Sequence, residues 1–115
     1  MPVEMRGRRI PVQPGVAPYD LLKEPGDYCG PDDGSWCGAV SVYFLLPIAR
    51  DENAQGLARA LHHVCSPPHT FREEPDGTLT IRNSIGAGSK PNYYWHGFLN
   101  EGCWELKHRK TLTGD

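Results

Sequence analysis

The chain has 115 residues and carries 12 lysines and arginines against 14 aspartates and glutamates, a formal net charge of −2. That length builds one hydrophobic core and is short of two ordinary ones. Basic residues gather only at Arg6, Arg8 and Arg9 and between Lys107 and Lys110, so nucleic acid is not an expected partner. The longest apolar run, Val40 to Ile48, is broken by Ser41 and Pro47, well short of the roughly 20 residues that cross a bilayer. MPVEMRGRRIPVQPG has arginines without an apolar block behind them, so neither a membrane anchor nor a secretory signal is expected, and the cytoplasm is the expected compartment.

In chain order, residues 1 to 35 hold Pro2, Pro11, Pro14, Pro18, Pro25 and Pro31 among several glycines. That density forbids a long helix and limits strands to short edge pieces. The segment is read as a wrap anchored by Tyr19, Leu21 and Leu22. Trp36 to Leu46, WCGAVSVYFLL, is β-branched and aromatic on both alternations and predicts a central strand ended by Pro47. Asp51 then stands as an N-cap for a helix to about Val64, with Ala54, Leu57, Ala58 and Leu61 at helical spacing and His62-His63 at its end. Pro67-Pro68 stops it, and Pro75-Asp76-Gly77 turns the chain into a strand.

In that strand Leu79, Ile81 and Ile85 alternate with Thr78, Thr80, Arg82 and Ser84, leaving Asn83 as the one polar residue on the apolar side. A GAGSKPN loop leads to YYWHGFL at 93 to 99, and Asn100-Glu101-Gly102 connects this to CWELK at 103 to 107, the signature of a hairpin with a three-residue loop. With Leu99 facing Cys103, Tyr94, His96, Phe98, Trp104 and Leu106 share one side. The predicted fold class is a small β-rich α+β domain: an antiparallel sheet with a C-terminal hairpin, one helix and a Pro/Gly-rich N-terminal wrap.

Four sets of residues carry candidate chemistry. His96, placed among apolar groups, is either a neutral general base or a core histidine satisfied by one carbonyl. Ser84 precedes a glycine-rich loop whose amides, from Gly86 to Gly88, would suit an oxyanion, and Arg82 on the same face is a candidate anion contact. Tyr93, Tyr94, Trp95 and Trp104 supply aromatic density for a ligand pocket. Cys29, Cys37, Cys65 and Cys103 are widely and irregularly spaced, which argues against a disulfide framework and for thiols or a zinc ion, with His62, His63, His69 and His96 as further donors. A reactive Cys65 lacks support if it follows a helix C-terminus, whose partial negative charge raises a thiol pKa.

DGTLTIRNSIG at 76 to 86, WHGFL at 95 to 99 and Glu101-Gly102-Cys103-Trp104 together resemble the domain of unknown function 6527 family of small phage and bacterial proteins. Ser84, Ile85, His96, Gly97, Phe98 and Gly102 fall on the shared positions. The resemblance implies a compact β-rich fold and a peptidase role, with Ser84 as nucleophile and His96 as general base; the compartment for a phage-encoded member is the host cytoplasm. Two further functions are weighed beside this hydrolase. One is a binding or inhibitor module that captures a host protein or small ligand through its aromatic residues. The other is a virion structural protein. The expected partner is thus a protein or a small molecule, and the sequence leaves the oligomeric state open.

Overall fold

In a computed structural model that describes residues 4–47, 61–89 and 92–108, two sheets are joined by a strand-like ribbon that serves both. The ribbon begins as β1 (Glu4–Arg6) and continues as β2 (Arg8–Ile10). A single helical turn, α1 (Pro18–Leu21), follows, and then β3 (Asp27–Asp32), β4 (Val40–Leu45) and β5 (Leu61–Ser66). The chain ends in β6 (Thr70–Glu73), β7 (Leu79–Ser89), β8 (Asn92–Asn100) and β9 (Cys103–His108). One sheet has the order β1-β9-β8-β7-β6 and the other β2-β3-β4-β5. β2 and β3 run parallel and the other neighbours antiparallel.

Gly7 is the corner at which the ribbon changes sheets. Its amide donates to the Gly102 carbonyl at 2.8 Å, and a Cβ there would stand 2.8 Å from the Trp104 indole nitrogen and 2.9 Å from the Gly26 carbonyl oxygen. Only glycine leaves room for the crossing. Trp104 lies beneath it, 1% exposed, and its indole N–H donates to Gly26 O at 2.7 Å. Its ring also meets Phe44 at 5.1 Å and Tyr28 at 6.2 Å. One residue of the first sheet thereby reaches the inner face of the second.

The expected small β-rich domain is present, and the expected central strand is β4, between β3 and β5. Two local expectations change. Helix to Val64 is replaced, over Leu61 to Val64, by the edge strand β5, which pairs Tyr43 with His63 and Leu45 with Leu61. His62, His63, Val64 and Cys65 are poor helix formers, and β4 offers them a ladder; the rest of the predicted helix lies outside the described residues. The N-terminal third likewise supplies more than edges, because β3 is internal and accommodates Pro31 where its register with β4 shifts.

The C-terminal hairpin is also offset by one residue from the predicted register. Glu101 and Gly102, with φ of 49° and 77°, form a two-residue turn of the kind that needs positive φ at both central positions, and Leu99 faces Trp104 rather than Cys103. A one-residue slip exchanges the faces of a strand. Trp95, Leu99 and Trp104 therefore turn inward and are buried, while His96 and Phe98 lie half-buried on the outer side. Asn83 is exposed and not an inward polar residue: its φ of 76° accompanies a register irregularity between Ile81 and Ile85.

Gly97 occupies the inner face opposite Leu106, where a Cβ would collide with the Glu105 carbonyl oxygen and stand 2.8 Å from Trp95 Cη2. Trp95 folds over the space that a side chain would need. Gly97→Ala is expected to lower the unfolding free energy by roughly 1–3 kcal/mol or more through overpacking against backbone, as read by denaturant melts; an unchanged midpoint would contradict this packing.

Asp27 is 1% exposed. It accepts two hydrogen bonds from Arg8, at 3.1 and 2.9 Å, and two from the backbone amides of Lys23 and Glu24, at 3.0 and 2.9 Å. Burial pushes its carboxyl up, but the hydrogen bonds from Arg8 and the two amides outweigh burial and hold it below the ordinary range. A depressed native pKa stabilises the fold fully above the unfolded value of about 3.9, and this contribution is lost as pH falls through the native pKa. The stability gap between the native protein and Asp27→Asn should therefore be constant from pH 7 to about 5 and shrink below about 4; a gap independent of pH down to 2 would show that the charge is not what Asp27 contributes.

Candidate metal centre

Alternation along β4 divides its side chains between two surfaces. Phe44, level with Tyr28 and His62, faces the interior and Trp104. Tyr43, level with Cys29 and His63, faces the other way, as does Ser41 beside Cys65 two residues along. Over this outer face folds the segment between β3 and β4, whose turn carries Cys37. Asp32 and Asp33 shape it, accepting hydrogen bonds from the Gly34 and Ser35 amides at 3.1 and 3.0 Å.

These elements bring Cys37, His63 and Cys65 together, with one donor atom from each within 4.8 Å of the other two. Ser41 Oγ sits between the sulfurs, 2.9 Å from Cys37 Sγ and 3.3 Å from Cys65 Sγ, and it also donates toward the Ala39 carbonyl at 2.8 Å. One hydroxyl proton serves one of these acceptors at a time. Ser41 first, then Tyr43 and the backbone at Ala39, lower the Cys37 thiol below its ordinary pKa, favouring the thiolate that binds metals.

Two tyrosines complete the surround. Tyr19 of α1 places its hydroxyl 3.0 Å from His63 Nδ1. With the proton on Nδ1, the Tyr19 oxygen accepts it and Nε2 keeps the lone pair that a metal takes, the usual support for a ligating histidine. Tyr43 stacks on the His63 ring at 5.3 Å and 26°, and Tyr19 meets Tyr43 edge-on at 5.0 Å. The Tyr43 hydroxyl, close enough to the Cys37 sulfur to lower its thiol pKa, is buried and makes no hydrogen bond of regular geometry with a described residue.

Of the four cysteines expected as zinc ligands, the fold unites two. Cys29 is fully buried in β3, where burial, and then the charge of Asp32, push its thiol up and keep it protonated. Cys103 belongs to β9, in the other sheet. His63 replaces them. His63 and Cys65 share a face because residues two apart do so in a strand, whereas in the predicted helix they would diverge.

Ser84 and His96 lie on neighbouring strands. Ser84 falls in the stretch between Ile81 and Ile85 where the register shifts, whereas His96 pairs with Gly86 and lies on the outer side of the sheet. Glu105, paired with Phe98, shares that side and accepts from Asn100 Nδ2 at 3.2 Å. Ser84 presents its carbonyl oxygen 3.0 Å from His69 Nε2. Arg82 is exposed opposite Thr70. The glycine-rich loop expected from Gly86 is instead the end of strand β7, with Gly86 paired to His96 and Gly88 to Tyr93 across the ladder with β8; the side chains of Tyr93 and Tyr94 lie outside the described part. Trp95 and Trp104, expected at a ligand surface, pack together in the core at 5.8 Å. Comparison with family models, curated proteins and solved structures finds no match to this chain.

Proposed function

We propose that this domain is a zinc-binding module whose ion is held by Cys37, His63 and Cys65. The convergence of two sulfurs and an imidazole nitrogen within 4.8 Å carries this reading. Thiolate and imidazole donors suit zinc and disfavour magnesium, calcium and manganese. Its bond lengths set tetrahedral donors about 3.5–3.8 Å apart, so the three residues close on the ion by small side-chain movements. Bound there, the ion ties the turn that carries Cys37 to the edge strand β5.

Protein purified without added metal should contain close to one zinc per chain by elemental analysis, and chelation should lower its melting temperature. Cys37→Ser, His63→Ala and Cys65→Ser should each lose the metal, while Cys103→Ser keeps it. Metal-free protein of unchanged stability, or equal loss from Cys103→Ser, would overturn the assignment.

A serine-histidine hydrolase is a second reading, favoured by the positions of Ser84 and His96 on the adjacent strands β7 and β8. In it His96 takes the Ser84 proton. Both side chains are half-buried, so a dyad predicts that Ser84→Ala and His96→Ala each change unfolding free energy by under about 1 kcal/mol. Loss of about 2–4 kcal/mol in His96→Ala alone would instead mark a packing histidine.

A further inference from the structure

A structural zinc is closed by four protein ligands, whereas a zinc with three keeps a position for a ligand from solution. Among the described residues, no fourth cysteine, histidine, aspartate or glutamate joins Cys37, His63 and Cys65. Asp33, the carboxylate closest in the chain to Cys37, accepts from the Ser35 amide and hydroxyl, and Asp32 from the Gly34 amide. What borders the cluster is a hydroxyl. Tyr43 is 3% exposed and lies flat on the ring of His63, and its hydroxyl, near the Cys37 sulfur, makes no hydrogen bond of regular geometry with a described residue.

A buried hydroxyl without a regular hydrogen bond, at the edge of a three-ligand metal cluster, calls for a better acceptor than the described residues provide. A tyrosine hydroxyl carries its proton at neutral pH, so the group is a donor. On the reading that the cluster holds a metal, we propose that its fourth position is an open binding site for a small monodentate anion, and that the Tyr43 hydroxyl donates a hydrogen bond to the bound anion. Solvent-derived hydroxide is the simplest occupant, since a zinc-bound water ionises near neutrality. Tyr43 is thus a specificity element: it favours an anion that can accept a hydrogen bond while bound to the metal.

Cobalt(II) in place of zinc makes the site visible, and azide serves as the probe anion. The full chain with one cobalt should show thiolate-to-cobalt charge transfer and tetrahedral d–d bands, and azide should shift the d–d bands saturably. Tyr43→Phe should take up cobalt as well as the native protein does but bind azide about tenfold more weakly, the loss of roughly one hydrogen bond. Bands indifferent to azide in the native protein would show a closed site and overturn this inference while leaving the metal assignment standing. No cobalt bands would overturn the metal assignment itself. Unchanged azide affinity in a folded Tyr43→Phe would remove the tyrosine from the site; the native titration decides the open position even if that variant does not fold.

Discussion

The hydrogen bond from the Trp104 indole to the Gly26 carbonyl is the interaction on which the two-sheet arrangement turns. Gly26 donates its own amide to Leu45 O at the end of β4 at 2.9 Å, so the indole reaches the second sheet through one residue. A buried carbonyl without that donor would carry its desolvation penalty. Space around the bond is restricted by glycine at Gly7 and by Met5 and Trp104 against Gly26, so neither partner has an alternative position. Sheet packing and the corner at Gly7 are fitted around a single aromatic ring.

β4 then distributes what that packing makes available. Its inward residues Val42 and Phe44 consolidate the core, and its outward residues Ser41 and Tyr43 form the floor of the metal cluster. The outward pair is nonetheless buried, because α1 and the turn of Cys37 cover it. A site assembled this way combines a rigid floor with donors from a surface turn, which lets the donor atoms adjust to an ion without disturbing the core.

What the sequence reveals depends on how local the cause is. Alternation is a local property, and Leu79, Ile81 and Ile85 are buried as the period of two requires. The hairpin was legible as a hairpin, yet the choice between a two- and a three-residue turn reversed its faces and moved Trp95 and Trp104 from a supposed ligand surface to the interior. His63 and Cys65 were visible individually, but assigning helix rather than strand concealed that they point the same way. Cys37 reaches them only through the pairing of β4 with β5 and the fold of the preceding turn. No spacing in the chain encodes that approach.

The ribbon of β1 and β2 has a mechanical meaning. Residues 4 to 10 form one margin of each sheet, and Arg9, near its end, donates to Gly30 O in the second sheet and to Gly77 O and Glu73 beside the first. A short stretch of chain thus stitches both layers along one side. Slow amide exchange in it would report on opening of the whole domain, since the ribbon cannot fray without exposing an edge of two sheets at once. The layers are expected to melt as one cooperative unit, although most of their hydrogen bonds lie within one layer or the other.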